Sequence, residues 1–439
     1  MTHRLVLACS FLVLSAVPFP VSLASFGRTN PMEAWPTVLF VVLGLLGLTV
    51  TTFRPVPHAF VAFYAWALVR VLLGGFDNRA TWCLLVLVAG IGVFRLMAEL
   101  PAGHDVVLGI TIAGVVALQV ALGILDVMKI NPWIAVTYPD MVGKPHGLLY
   151  HPNHYGLYLA LALPVLIVLT GHACRLMAGW RRWGTIAAGS FVVSAVITLL
   201  IASGSRIALG GLVIVLAWAV SMAGRALARL VPDDRRWTWA ACSVFAAALA
   251  VVIWRFVGRQ QIDSLGGRTP MWTVGAVELS TWTWPSFLFG GGFGSWATWA
   301  THPGGRLRGL GVPELGIPPQ NAFSGWWTEA HNIGMQVTFE IGIVGLLLGA
   351  WVVWALIRLV GGGFAGKRHH FLVQLKNDSA WTVSDTIAAT RTSAFTLWPE
   401  AWAIVLLIGL MAMHFTLVFH HAALAVVTIT AAARLWARR

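Results

Sequence analysis

Charge is what this 439-residue chain has least of. Only 10% of its residues are Asp, Glu, Lys or Arg, against roughly 25% in an ordinary soluble domain. So few charges cannot coat a soluble body of this size, which excludes a cytosolic enzyme, a secreted disulfide scaffold and a disordered chain. Cysteine is scarce as well. Cys9, Cys83, Cys174 and Cys242 lie in or beside apolar segments, without a CxxC pair or metal-ligand spacing, so neither a zinc site nor a disulfide frame is expected. Acidic residues number 16 against 29 basic ones, a net charge of +13. Nucleic-acid binders cluster their Lys and Arg on a soluble face. Here the basic residues punctuate apolar runs, so no nucleic-acid partner is expected.

What the chain has in abundance is apolar side chains, at 58%. They fall in stretches at about 5–26, 35–52, 58–75, 81–97, 105–127, 155–172, 184–202, 207–223, 237–257, 332–357, 400–415 and 418–434. Each is near the ~20 residues that a bilayer span requires. Helices are the expected form, because hydrocarbon cannot solvate backbone groups and a barrel would show short alternating segments instead. The expectation is therefore an all-α, polytopic membrane protein of about twelve spans. Its first stretch, behind Arg4, lacks a convincing small-x-small cleavage site and reads as a retained helix rather than a signal peptide.

With Met1 inside, strict alternation puts Arg54, Arg95, Arg175, Arg181, Arg182, Arg225, Arg229, Arg235, Arg236, Arg358, Lys367, Arg368, Arg434, Arg438 and Arg439 on the cytoplasmic side. All the dense basic clusters share that side, as the positive-inside rule requires. Residues 1–257 then hold nine spans and 258–331 a large periplasmic connection rich in Gly, Pro and Trp. Residues 332–439 hold three spans, with a cytoplasmic connection at about 361–398. A shorter periplasmic connection, about 128–154, carries Lys144, His146, His151, Asn153 and His154. No fixed-period or inverted repeat is visible.

Some arginines are left over on the periplasmic side. Arg206 lies in Ser203-Gly204-Ser205-Arg206, and Arg268 in Gly266-Gly267-Arg268-Thr269-Pro270-Met271-Trp272. Gly and Ser around them let backbone and ligand approach closely, and a guanidinium grips phosphate through paired donors. Two of them on one face point to a diphosphate ligand. Arg255, Arg259, Arg306 and Arg308 share that side, where snorkelling is a competing account. Inside the spans, Arg70, Asp126 and Glu340 are the main charged exceptions.

A second constellation is Glu329-Ala330-His331-Asn332-Ile333-Gly334-Met335-Gln336. Helical spacing puts His331 and Gln336 on roughly one side, and a histidine beside a Glu at a membrane face can act as a general base. His420-His421 has no carboxylate neighbour and reads as no metal site. His151 and Asn153 open the sixth span, where capping and ligand binding are both open. Trp296, Trp299, Trp326 and Trp327 fit interface anchoring first, with the stacking of aromatic rings on sugars as the second reading.

Tyr150-His151-Pro152-Asn153-His154-Tyr155-Gly156, Ser203-Gly204-Ser205-Arg206, Gly267-Arg268-Thr269-Pro270-Met271-Trp272 and Phe289-Gly290-Gly291-Gly292-Phe293-Gly294 follow one another in that order. His331-Asn332 comes next, then nine residues, then Gly342-Ile343-Val344-Gly345. Over about 145–350 this resembles the bacterial O-antigen ligase and polymerase superfamily, which includes protein O-oligosaccharyltransferases. The resemblance implies an inner-membrane glycosyltransferase, without metal or other cofactor, working at the periplasmic face. It would move an undecaprenyl-diphosphate-linked glycan onto lipid A–core. His331 matches the family's essential base, and Arg206 and Arg268 match its diphosphate-holding arginines. Asn332, Gln336, His151, Asn153, Trp296 and Trp299 are the accompanying candidates for substrate binding. Ligases often continue Thr-Thr-Pro after the second glycine; Leu346-Leu347-Leu348 stands here, which keeps repeat-unit polymerase open. From another class, a lipid-linked-glycan flippase would place its ionisable groups near mid-membrane, whereas here they collect at one face.

Overall fold

The computed structural model describes residues 31–50, 56–74, 78–101, 103–130, 143–149, 151–230, 263–301, 332–377, 397–413 and 422–438. Among them the chain is helical, without strands. In chain order the helices are α1 (Pro31–Val50), α2 (His58–Gly74), α3 (Asn78–Glu99), α4 (His104–Val127), α5 (Pro152–Leu176), α6 (Gly179–Ala202) and α7 (Arg206–Leu230). They continue as α8 (Asp263–Ser280), α9 (Trp284–Phe289), α10 (Ser295–Thr301), α11 (Ile333–Asn377), α12 (Trp398–Met413) and α13 (Ala422–Trp436). The expected stretches 5–26 and 237–257 lie outside the described residues; the others coincide with helices. Among the described residues, four helical segments are long and apolar enough to cross a bilayer: His104–Val127, Pro152–Leu176, Gly179–Ala202 and Ile333–Gly362. The protein is a helical membrane protein.

The connecting stretch 258–331 contains α8, α9 and α10 among its described residues. Their Gly, Pro and Trp content hides short helices that pack by aromatic contact rather than by an apolar run of spanning length. The helix that holds the tenth apolar stretch, α11, runs on to Asn377, past its apolar part at Ile333–Gly362.

Sequence explains the packing. In α5 the residues from His154 through Leu166 are all buried, as expected of a helix that is apolar around its circumference and central to the bundle. Helices α1 and α3 approach each other closely. Gly44 and Gly47 face Ala89 and Gly92, and a β-carbon on Gly44, Gly47 or Gly92 would collide with backbone of the facing helix. Between apolar helices in lipid, such small-residue seams supply association through van der Waals contact.

The contacts also order the helix ends. Trp398 at the start of α12 packs on Gly109, near the start of α4, while Met411 at the other end of α12 packs on Gly210, near the start of α7. Antiparallel to α3, α2 sets Phe60 on Phe94 and the Tyr64 hydroxyl against Gly90. Arg70 and Gly74 are thereby carried away from residues 97–105. One end of the bundle, the Asp105 end, thus collects Arg95, Leu100, Trp398 and Arg434. The other collects Arg70, Asp126, His151 and Arg206.

At the Asp105 end, Asp105 is fully buried. Arg434 Nε donates to its Oδ1 at 2.6 Å, Trp402 Nε1 donates to the same oxygen at 3.2 Å, and Arg438 donates to Oδ2. Arg434 spends its remaining donors on the carbonyls of Met97, Leu100 and Pro101, which end α3. Carbonyls at a helix C-terminus have no intrahelical donor and attract cations. The last helix is therefore stapled to the α3–α4 link by a satisfied charge cluster.

Candidate functional site

The opposite end is built from two assemblies. In the first, Asp126 near the end of α4 accepts from the backbone amides of His146 and Gly147 at 2.7 Å each. Gln119, about two turns earlier, accepts from Leu148 N at 3.0 Å through Oε1, and its carbonyl accepts from the Tyr155 hydroxyl at 3.0 Å. These bonds fix residues 146–148 on α4 immediately before α5 begins. His146 Nδ1 lies 3.1 Å from the carbonyl of Gly147 and 3.6 Å from Asp126 Oδ2. Its Nε2 is buried without a hydrogen-bond partner.

His151 caps α5: its Nδ1 accepts from Asn153 N at 3.0 Å, an N-cap in which imidazole takes the place of a hydroxyl or carboxylate. Accepting at Nδ1 fixes the neutral ring's proton on Nε2. Burial, then the neighbouring His146 and Lys144, push its pKa down to about 4, so His151 is uncharged at neutral pH. The turn between α6 and α7 docks on this cap. Ser205 Oγ donates to the carbonyl of Asn153 at 3.4 Å. Gly156 faces Ser203, Ser205 and Ala208 so closely that a β-carbon there would clash. Arg206, half-buried, is the first residue of α7.

The second assembly centres on a break in α11. Gly342 has φ 75° and ψ −178°, a conformation that essentially only glycine adopts, so the helical hydrogen-bond ladder is interrupted there. Other donors take the freed carbonyls. Gly291 N donates to Phe339 O at 2.7 Å and Gly292 N to Glu340 O at 3.0 Å. Ser295 Oγ donates to Phe339 O at 2.9 Å and Trp66 Nε1 to Ile341 O at 2.9 Å. Gly290 itself lies so near Glu340 and Gly342 that no side chain fits. The 290–295 loop between α9 and α10 is thus plugged into the break.

Asn332 caps the outer segment of α11, its Oδ1 accepting from Met335 N at 3.2 Å. One helical turn apart, Gln336 Nε2 donates to Glu340 Oε1 at 2.6 Å. An aromatic cluster joins this segment to α8 and α10. Trp296 and Trp299 lie 4.9 and 5.1 Å from Phe339 by ring centroid, and Trp282 lies 5.0 Å away. Trp296 is fully buried beside Met271 and Val274, so of this pair Trp299 alone keeps partial exposure.

The sequence-derived candidates therefore fall into two groups. His151, Asn153 and Arg206 are gathered by α4, α5 and α7. Asn332, Gln336, Trp296 and Trp299 are gathered by α8, α10 and α11. Arg268 lies on α8, with its side chain outside the described residues; His331, Glu329, Trp326, Trp327 and His420-His421 also fall outside them. Among the described residues no group of three His, Cys, Asp or Glu could hold a metal. Sequence reasoning missed Gln119 and Trp66 altogether, because each acts through a hydrogen bond to distant backbone. It noted Arg70 and Asp126 only as charges out of place, and that was the usable signal. Comparison with known protein families finds no match, and no curated protein matches the chain.

Proposed function

We propose that the protein is a lipid-diphosphate-dependent glycosyltransferase of the O-antigen ligase kind, with about twelve spans in a bacterial inner membrane and its site on the periplasmic side. The carrying observation is the meeting of motif segments far apart in sequence. The 203–206 turn sits on the 151–156 helix start through Ser205 and Asn153, and the 290–292 glycines sit on residues 339–342 through paired backbone bonds. These are segments whose order resembles the ligase superfamily, and both lie at the end of the bundle opposite Asp105. Arg95, Arg434 and Arg438 lie at the Asp105 end. The positive-inside rule supports a cytoplasmic Asp105 end and, with it, a periplasmic motif face.

In this reading Arg206 and Arg268 hold the diphosphate of an undecaprenyl-linked glycan, as guanidinium forks suit paired phosphate oxygens. His331 takes the proton of an acceptor sugar hydroxyl on lipid A–core as its oxygen attacks the anomeric carbon. The bond from that carbon to the phosphate oxygen breaks, and the arginines stabilise the charge left on the departing diphosphate. A positioned base of this kind contributes about 10²–10⁴ in rate.

Deletion in the source bacterium tests the reading through the lipopolysaccharide gel pattern. Bare core with accumulating lipid-linked polymer is the expected result. Core bearing a single repeat would make the protein the repeat-unit polymerase, and unchanged laddering would rule out both. With purified protein, His331→Ala should lower transfer by at least about 10² while donor binding survives; an active variant would remove His331 from the base role.

A further inference from the structure

Arg70 is the charge that the proposed reaction leaves unused. It lies on α2 with Trp66 and Gly74, at spacings of four that make one stripe, and this stripe faces the plugged break. Trp66 donates to Ile341 O and its ring lies 5.7 Å from Phe289. A β-carbon on Gly74 would sit 3.9 Å from Gly292 Cα. Arg70 Nη2 donates to the carbonyl of Gly290 at 3.0 Å, across 220 positions of sequence.

That single bond does not satisfy the guanidinium. Arg70 is only 9% exposed and its Nε is buried without a partner. Among the described residues no carboxylate lies within ion-pairing distance of it; Glu340, close by in the chain path, is engaged by Gln336. A guanidinium has five donors, and burying it without a counter-charge carries a large desolvation penalty that one carbonyl does not offset. Arg434 shows what a satisfied buried arginine looks like in the same protein, with a carboxylate and three carbonyls. Arg70 has one carbonyl. Latching the loop needs a donor, and an amide or hydroxyl would supply one without the cost of a buried cation.

We propose that Arg70 is an anion-binding residue that receives a phosphate oxygen of a membrane lipid beside the Gly290–Gly294 loop. A phosphate fits because an oxyanion with several acceptor oxygens can take two guanidinium donors at once, and such charge-assisted bonds are the strong ones. Two sources present that chemistry at a membrane face, the diphosphate of a polyprenyl carrier and the headgroup of an anionic phospholipid. The inference concerns binding and does not rest on the glycosyl-transfer reading. A protein that bound lipid phosphate through Arg70 but transferred nothing would keep this inference and lose the other.

The test uses the full chain, purified, with equilibrium binding of undecaprenyl diphosphate, phosphatidylglycerol and undecaprenol, and thermal unfolding as a check on folding. Arg70→Gln keeps an amide that can donate to Gly290 O and removes the charge. It is expected to fold and to bind undecaprenyl diphosphate at least about tenfold more weakly, the scale of one charge-assisted bond, with undecaprenol unaffected. Loss confined to phosphatidylglycerol would identify the headgroup as the ligand. A folded Gln variant that binds both phosphate lipids as the wild type does overturns the proposal. If the Gln variant does not fold, Arg70→Lys, which keeps the cation, decides. A folded Lys variant that retains phosphate-lipid binding supports the proposal, and one that binds neither lipid overturns it. Failure of both variants to fold makes Arg70 a loop latch alone and also overturns it.

Discussion

Arg434 and Arg70 are both buried arginines, one at each end of the same bundle, and their surroundings are opposite. Arg434 donates to Asp105 and to three carbonyls that close α3. Arg70 donates to one carbonyl and has an orphan Nε. The same contrast extends to the backbone. At the Asp105 end the chain reverses between α3 and α4 with its open carbonyls capped by Arg434. At the other end α11 is broken at Gly342 and a glycine loop is inserted into it. Charge that is fully paired fixes a fold, whereas charge held ready without a partner costs stability and is retained where something else supplies the partner. A buried cation taken alone says nothing about function; its unspent donors do.

The contrast can be broken by mutation, and the largest effect belongs to the paired end. Arg434→Ala strips Asp105 of its fully buried cation and uncovers three carbonyls, so unfolding of the purified protein should become easier by about 3–5 kcal/mol. A change under about 1 kcal/mol would mean that Arg438 and Trp402 suffice to hold Asp105. Next comes Gly342→Ala. A side chain at φ 75° costs about 1–3 kcal/mol, and here it would also run into the Leu288 carbonyl, so a loss at the upper end of that range is expected in the same assay.

A smaller effect follows from His151. Its pKa of about 4 lies below the ordinary value of about 6.5. Between those two pH values the unfolded chain takes up a proton that the folded chain refuses, and stability falls as the pH is lowered through that window. Above about 6.5 the contribution is complete. His151→Asn, which keeps a capping acceptor, should show a shallower fall from pH 6.5 to 4 than the wild type; identical slopes would detach the effect from this ring. Smallest of all is Arg70→Gln measured for stability rather than binding. The variant gives up one hydrogen bond and relieves an unpaired buried charge, so a loss of more than about 1 kcal/mol is not expected and a gain is allowed, in contrast to Arg434→Ala.

Helix positions were largely legible in the sequence, and the reason is length. The stretches at 58–75 and 105–127 coincide within a residue with α2 and α4, since apolar runs of spanning length leave few alternatives. Hydropathy is blind to backbone dihedrals, so the break at Gly342 inside an apolar run was not visible. Nor were α8 to α10, whose cohesion comes from Trp296, Trp299 and Phe339 meeting across the chain. Arg434 was counted as an orientation signal, yet it is almost fully buried, because nothing in a local window shows that Asp105 waits for it. Arg206 and His151 stood out by residue type. Their joining through Ser205 and Asn153 depends on three helices and could only be seen in three dimensions.

The plug at Gly342 also sets the size of a cooperative unit. The carbonyls of Phe339, Glu340 and Ile341 are held by donors from the 290–295 loop and from α2. In a water-poor setting an abandoned carbonyl costs about several kcal/mol, so these bonds are hard to give up singly. The loop, the outer turns of α11 and the facing stripe of α2 therefore open together or stay closed together. In amide hydrogen exchange Gly291 and Gly292 would then be protected like helix interior, although they belong to no helix.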